Sequence, residues 1–178
     1  YGFSVYTLDE AYSAINYKNV KSIQLVFNIF RQKPKKKFLQ KAKSQKIAVI
    51  ARGPLASGLL SGSINSNSTF SPSDHRNYNI KGTSFNIGDT FSGVPIEISL
   101  KAIEKLKKIL PDNFSLINIA IKWILMSKEV TVTIPGATNP IHVELSATSS
   151  DKKSIKNLMD DIEGIYNEVI LPYTKDKW

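Results

Sequence analysis

One stretch, IAVIARGPLASGLLSG at residues 47–62, places residues suited to anion binding directly after an apolar, β-branched run. Gly53 and Gly58 allow the backbone to approach a ligand closely, and successive N–H groups in such a turn can surround an anion. Arg52 adds a fixed positive charge, and Ser57 adds a small hydroxyl. The stretch predicts a turn that binds an anionic ligand, with an ordinary Gly-Pro and Ser-Gly turn as the alternative.

A second anion site is predicted at TIPGATNP, residues 133–140. An apolar strand ends there at Gly136, Asn139 is placed to cap a helix, and Pro140 falls at the first helical position. This order directs unbonded N–H groups and the positive end of a helix dipole toward the strand end, which suits phosphate best. A capped loop that binds no ligand is the alternative.

Two polar side chains interrupt the first two apolar runs, Ser4 in GFS and Gln24 in SIQLVF. A serine hydroxyl and a glutamine amide each donate and accept hydrogen bonds, so the pair can hold a carboxamide if both face one cavity. The alternative is that each is an ordinary hydrogen-bonded polar group in a barrel interior.

Residues 61–92 form a long polar stretch, rich in Asn, Ser and Gly and with little periodicity. A stretch of this length in a compact domain is usually a lid or binding segment, or else disordered. Arg76 within it can close over a phosphate. His75 is not expected to bind a metal, because His142 is the only other histidine and no matching carboxylate pattern accompanies it.

The elements that would position these residues alternate along the chain. Strands are predicted at 1–7, 20–30, 47–51 and 130–134, and helices at 8–15, from Pro34 onward, at 94–110, 115–126 and 154–169. Strands separated by helices predict a parallel sheet with right-handed crossovers, as in half of an eight-unit barrel or a small doubly wound sheet. A glycine-rich turn does not follow the first strand, which favours the half-barrel, whose working face lies at the carboxyl ends of the strands.

Composition sets the remaining limits. The 178 residues are 42% apolar, contain no cysteine and no run of 18 apolar residues, and show no signal peptide. We therefore expect a soluble, cytoplasmic α/β protein without disulfides, thiolate metal sites or membrane partner. The first residue, Tyr1, already lies in a strand-like run, so we expect the chain to be a piece of a longer polypeptide.

The formal charge of +9 is concentrated in residues 31–46. Phe38, Leu39 and Ala42 form an apolar stripe there on a helix whose other sides are lysine, which predicts the solvated outer face of a packed helix. A nucleic-acid surface is the alternative, but no aromatic residues interleave with the lysines to stack bases. We expect no nucleic-acid partner.

Five segments, IARGPLASGLLSG, DHRNYN, FSGVP, AIKWILM and VTVTIPGATNP, occur in the order and spacing that resemble the C-terminal half of an aldo-keto reductase. The resemblance covers residues 1–178 and implies the C-terminal half of a (β/α)₈ barrel, strands five to eight, with a lid-like loop at 61–92. It implies an enzyme that binds NADPH in an extended conformation and reduces aldehydes or ketones to alcohols by hydride transfer.

The resemblance also implies which residues contact the cofactor. Ser4 and Gln24 match the residues that hold the carboxamide, and Arg52 stands where many members stack an aromatic ring on the nicotinamide. The turn along the nicotinamide and pyrophosphate is matched by Gly53, Pro54, Leu55, Ala56 and Ser57. Arg76 matches a basic residue of the loop over the pyrophosphate, and Gly136 and Thr138 match the site near the adenosine phosphate.

Some positions differ from the family pattern. Val5 replaces an asparagine that shares the carboxamide, and the helix after Pro140 carries His142, Glu144, Leu145 and Ser146 in place of Gln, a basic residue, an acid and Asn. Because Glu144 would repel a 2′-phosphate, NADH is the alternative cofactor.

The catalytic Asp, Tyr, Lys and His of the family belong to its first four strands, so we expect no catalytic residue here. The partners implied are a small carbonyl substrate and an N-terminal half-barrel in the same or another chain. A dinucleotide-binding regulatory or relic half-barrel without catalysis is the alternative.

Overall fold

The computed structural model describes residues 1–177, in which four parallel strands form one sheet in the order β1-β2-β3-β4. The strands are β1 Gly2–Ser4, β2 Ser22–Val26, β3 Ala48–Arg52 and β4 Val132–Ile134. β1, β2 and β4 lie within their predicted runs and are shorter than predicted, whereas β3 has the predicted length but begins and ends one residue later than predicted. Local side-chain hydrogen bonds follow the ends of β1 and β2. After β1, Thr7 and Glu10 form a reciprocal capping box that starts the first helix. After β2, the Asn28 side chain accepts the Phe30 N–H at 2.9 Å and turns the chain.

Helices connect the strands, as the alternating pattern predicts. They are α1 Leu8–Ala14, α2 Phe38–Ser44, α3 His75–Tyr78, α4 Ile96–Lys108, α5 Leu116–Leu125, α6 Pro140–Thr148, α7 Met159–Ile165 and α8 Leu171–Thr174. The predicted C-terminal helix at 154–169 differs: a 3-10 turn at Lys156–Leu158 precedes α7, and a π-helical turn at Tyr166–Ile170 joins α7 to α8. Pro172 lacks the N–H that an α-helix needs four residues after Glu168, which accounts for the irregular turn just before it.

The core lies between one face of the sheet and the helices. Ile23 of β2 and Val49 of β3 are fully buried on that face, and Trp123 of α5 packs on Phe27 with ring centroids 4.9 Å apart. Truncating a buried aromatic of this kind typically costs about 3–5 kcal/mol. The lysine-rich helix α2 buries Phe38, Leu39 and Ala42 while its lysines are exposed, so the prediction of a solvated outer helix face is confirmed.

The opposite face of the sheet is largely uncovered within residues 1–177. Its register aligns Gln24 with Ile50 and Ile50 with Val132, and one row nearer the carboxyl ends it aligns Arg52 with Ile134. Val132 is 42% exposed and Ile134 is 46% exposed. Apolar side chains on this face match the filled interior of a closed barrel, in which edge strands also disappear. The fold is half of a (β/α)₈ barrel, as predicted.

The polar segment 61–92 crosses the carboxyl end of the sheet. It contains α3, whose N-terminus is capped by Asp74, and leads into short 3-10 turns at Ile87–Asp89 and Phe91–Gly93. Its one-turn helices are too short to produce a periodic sequence pattern, which explains why none is visible. Buried Asn79 organises it, accepting the N–H groups of Ser84 and Phe85 at 3.0 and 3.1 Å.

Candidate functional site

A groove of about 1000 Å³ lies at the carboxyl ends of β3 and β4. Most of its lining comes from the turn after β3, the segment 61–92 and the turn that leads into α6, and the ends of β2 and β3 complete it. The predicted site residues that line it are Arg52, Gly53, Pro54, Leu55, Ala56, Ser57, Arg76, Gly136 and Thr138. The structure therefore brings nine of the eleven predicted residues to one groove.

The turn after β3 has an unusual backbone. Gly53 and Gly58 have φ of +63° and +97°, and two residues with side chains, Ala56 and Ser57, have φ of 48° and 57°. The left-handed conformation costs roughly 1–2 kcal/mol for each residue with a Cβ, so surrounding contacts must hold it. The Ser57 hydroxyl provides two, donating to the Asp89 carbonyl at 3.1 Å and accepting the Phe91 N–H at 3.0 Å.

Arg52 is not the isolated positive charge that the sequence suggests. Its Nη1 donates to the Asp89 carboxylate in an ion pair, and its Nη2 donates to the Val5 carbonyl at 3.3 Å. The guanidinium also lies 5.3 Å from the centre of the Tyr6 ring. A carboxylate 37 residues away thus offsets the charge, and the arginine is fixed at the strand end.

A second arginine, Arg31, lies behind this pair and donates to the Tyr6 carbonyl at 3.0 Å. Burial lowers the pKa of its guanidinium to about 9, the Asp89 carboxylate acts in the opposite direction, and Arg52 adds to the lowering. Arg31 remains protonated at neutral pH. A Cβ on Gly88 would lie 2.1 Å from Arg31 Nη1, so a larger residue at this position of the groove wall would require the buried guanidinium to shift.

Arg76 is oriented by two neighbours within its own segment. Its Nε and Nη2 donate to the Asp74 carboxylate at 3.0 and 2.6 Å, and its guanidinium lies 4.5 Å from the centre of the Phe70 ring. The pair holds the pKa of Asp74 near 2. The remaining nitrogen, Nη1, is directed toward Gly58, 3.6 Å from where a Cβ on that glycine would be. The edge of the guanidinium that carries Nη1 therefore faces the turn after β3.

The turn into α6 has the predicted cap. The Asn139 side chain accepts the His142 N–H at 3.0 Å, and Pro140 occupies the first turn of the helix. Gly136 and Thr138 line the groove together with His142, and the Thr138 hydroxyl shares a 3.2 Å hydrogen bond with His142 Nδ1. The amino end of α6, whose dipole favours anions, therefore adjoins the groove.

The aldo/keto reductase family model matches residues 1–167. The chain belongs to the aldo/keto reductase family. A curated relative, aldo-keto reductase YhdN from Bacillus subtilis (strain 168), is 26% identical over 167 residues, which cover 88% of this chain and 48% of the relative. This chain thus spans about half the length of that relative.

Solved structures agree on the fold. The glycerol dehydrogenase AKR11B4 from Gluconobacter oxydans has a TM-score of 0.70 at 22% identity, covering 99% of this chain and 50% of that one. The holo form of aldo-keto reductase AKR11C1 from Bacillus halodurans has a TM-score of 0.68 at 17% identity, covering 93% of this chain and 49% of that one. These matches support the assignment of the fold as half of an aldo/keto reductase barrel.

The two remaining predicted residues of this aldo/keto reductase chain lie outside the groove lining. Gln24 Nε2 donates to Ser4 Oγ at 2.9 Å, so the structure brings the pair together on the uncovered sheet face. They sit one inward-facing row farther from the carboxyl ends than Arg52. Val5 is buried against the outer helices, and Glu144 is exposed on α6 without lining the groove.

Two residues that shape the groove region are not among those predicted from the sequence. Asn28 is fully buried at the end of β2 and bonds to Gly53 and Ser92, and Asp89 pairs with Arg52. A polar residue inside the apolar run VFNIF was a usable signal for Asn28. No local pattern indicates Asp89, because its partner is far away along the chain.

Two structural features are absent from residues 1–177. No group of three or more His, Asp or Glu side chains there is arranged to hold a metal ion. None of the helices in this part of the chain has the length and hydropathy needed to cross a bilayer.

Proposed function

We propose that this chain supplies the dinucleotide-binding half of an NAD(P)H-dependent oxidoreductase that reduces aldehydes or ketones to alcohols. One observation carries the proposal: the turn after β3, Arg76 of the segment 61–92, and the amino end of α6 converge on a single groove. That groove lies at the carboxyl ends of the strands, where barrel enzymes have their active sites. Family membership supports the same reaction class.

The pyrophosphate would lie between the turn after β3 and Arg76. Gly58 leaves space there that a Cβ would fill, with Arg76 Nη1 at 3.6 Å and Ile64 Cδ1 at 3.3 Å from that position. Asp74 and Phe70 already fix the Arg76 guanidinium, so little side-chain entropy is lost when it donates to a phosphate oxygen. The segment 61–92 acts as the lid over this part of the cofactor.

The adenosine phosphate would occupy the amino end of α6, near Gly136 and Thr138, where the positive end of the helix dipole favours an anion. Glu144 is exposed on the same helix, and a carboxylate there disfavours a 2′-phosphate by charge repulsion. NADPH is the cofactor that the family resemblance implies, and NADH is the alternative that Glu144 supports.

The nicotinamide would lie toward Arg52 and the uncovered sheet face. With Gln24 Nε2 donating to Ser4 Oγ, the Gln24 carbonyl oxygen and the Ser4 O–H remain for a carboxamide, one accepting and one donating. The cofactor supplies, when bound, the hydride for the substrate carbonyl carbon. The residues of this chain bind and orient it and fix which face of the nicotinamide is presented.

A second half-barrel, in the same polypeptide or in another chain, would supply the proton-donating residues and the small-carbonyl site. Two observations support this part of the proposal. Val132 and Ile134 are 42% and 46% exposed on the face that is interior in a closed barrel, and the relatives match over about half of their length. The completed protein would be an aldo/keto reductase acting in the cytoplasm.

The test joins this chain to the N-terminal half of the Bacillus subtilis relative and measures carbonyl-dependent oxidation of NADPH and NADH. We expect turnover with at least one cofactor, and a loss of cofactor affinity of about tenfold or more in Arg76→Ala, as expected for a charged hydrogen bond. Lys81→Ala, in the same segment but away from the groove lining, is the matched control. Dinucleotide binding without turnover would support the regulatory half-barrel, and neither binding nor turnover would refute both.

A further inference from the structure

We infer that Asn28 is a positioning residue for the dinucleotide groove, an inference that rests on the proposed function. Asn28 is fully buried at the end of β2 and does not line the groove. Its Nδ2 donates to the Gly53 carbonyl at 2.7 Å and to the Ser92 hydroxyl at 2.9 Å, while its Oδ1 accepts the Phe30 N–H at 2.9 Å. One side chain therefore joins β2, the turn after β3 and the end of the segment 61–92.

Both partners of the Asn28 amide belong to backbone that needs external support. Gly53 has φ of +63° and begins the turn that contains left-handed Ala56 and Ser57. Ser92, with φ of 56°, follows Phe91, with φ of 52°, so a second pair of residues with side chains is left-handed. Strained backbone of this kind persists only where neighbouring contacts over-determine it, and it concentrates at ligand sites.

The two strained turns are bonded to each other through Ser57. Its hydroxyl accepts the Phe91 N–H at 3.0 Å and donates to the Asp89 carbonyl at 3.1 Å. The Asn28 amide also bonds to both turns, to one through the Gly53 carbonyl and to the other through the Ser92 hydroxyl. With both supports present, the turn after β3 and the lid segment form one unit whose shape defines the groove.

Asn28→Asp isolates this role because it preserves shape and removes the amide donor. The carboxylate still accepts the Phe30 N–H, but it faces the Gly53 carbonyl with like partial charge and repels it. The turn after β3 then loses its hydrogen bond from Asn28 to Gly53, and the segment 61–92 loses the one to Ser92, while the Ser57 and Asp89 contacts remain. Because binding must then restore the geometry of the turn that this hydrogen bond held in place, we expect dinucleotide affinity to fall about tenfold.

Asn118→Asp is the matched control. Asn118 is another buried asparagine, on the outer helix α5, whose Nδ2 donates to Ser149 at 3.0 Å and whose Oδ1 accepts the Ser115 N–H at 3.0 Å. The Asn118→Asp substitution removes an equivalent amide donor at a site that does not line the groove. Its effect on stability should resemble that of Asn28→Asp, and its effect on dinucleotide affinity should be small.

The experiment uses the 178-residue chain, with NADPH and NADH titrations, limited proteolysis and thermal unfolding for each variant. We expect Asn28→Asp to weaken binding about tenfold and to accelerate cleavage within residues 61–92, whereas Asn118→Asp lowers the melting temperature alone. Equal binding and equal cleavage in Asn28→Asp and the parent chain would overturn the inference, as would an equal loss of affinity in Asn118→Asp.

A milder variant and the second readout keep the inference testable. If Asn28→Asp does not fold, Ser92→Ala removes only one acceptor of the amide, and we expect faster cleavage of 61–92 with a loss of affinity of about threefold. Unchanged cleavage and affinity in Ser92→Ala would then refute it. If the parent chain binds neither dinucleotide, the proposed function fails, and the cleavage rates alone decide whether Asn28 positions the lid segment.

Discussion

The ion pair between Arg52 and Asp89 joins the end of β3 to the segment 61–92, so removing the carboxylate should destabilise the fold measurably. The side chains are only 19% and 16% exposed. Breaking a buried pair by removing one partner costs about 3–5 kcal/mol, whereas an exposed pair is worth about 0–1 kcal/mol. Asp89 also acts on buried Arg31, which would lose its opposing charge. We therefore expect Asp89→Ala to lower the free energy of unfolding by about 2–4 kcal/mol, between those limits.

Urea denaturation followed by circular dichroism measures this loss. The double-mutant cycle with Arg52→Ala separates the pairwise interaction from other effects of each truncation, and we expect a coupling energy of about 1–3 kcal/mol. Glu104→Ala is the control, because its pair with Lys107 is 65% and 45% exposed and should contribute under about 0.5 kcal/mol. A loss in Asp89→Ala no larger than in the control would show that the pair does not stabilise the junction between the segment 61–92 and the sheet.

Three further predictions follow from other contacts. Gly88→Ala should destabilise the chain by about 1–3 kcal/mol in urea denaturation, because the added Cβ would lie 2.1 Å from a buried guanidinium nitrogen and overpack the site. Gly136→Ala is the control and should leave the stability unchanged, because no atom lies within 4 Å of the added Cβ. The pKa of Asp74 is lowered from 3.8 to about 2, so its pair stabilises the fold above pH 3.8 and this contribution is lost as pH falls toward 2. Acid titration of Asp74→Asn should lack that loss, and an identical acid transition would contradict the assignment. Ile134→Lys should leave the secondary structure of this chain intact yet abolish activity when the chain is joined to an N-terminal half-barrel, since it places a charge in the closed interior; full activity would count against that closure.

Much of the fold was predictable because it depends on local patterns. The alternation of β-branched runs with helical stripes predicts the parallel sheet, and the Asn139 and Pro140 pair predicts the start of α6. The stripe formed by Phe38, Leu39 and Ala42 identifies the buried side of α2. In each case the signal lies within one element, where propensity, capping and periodicity act.

The features that could not be predicted depend on partners distant along the chain. The charge of Arg52 is offset by Asp89, 37 residues away, and the Asn28 amide bonds to Ser92 over 64 residues. Left-handed φ at Ser57 carries no sequence signal either, because it is imposed by tertiary contacts on a residue type that does not favour it. Periodicity places side chains on a face, and only the folded chain decides which polar groups meet.

In the proposed function, a dinucleotide binds in the groove at the carboxyl ends of β3 and β4. The most direct measurement is a titration of the isotopically labelled chain with NADPH and NADH, followed by amide chemical shifts in NMR spectra. We expect saturable shifts concentrated at residues 52–58, 74–76 and 136–142. Saturable shifts concentrated instead in the shallow groove between α4 and α8, near Lys101 and Tyr173, or no shifts with either dinucleotide, would contradict it.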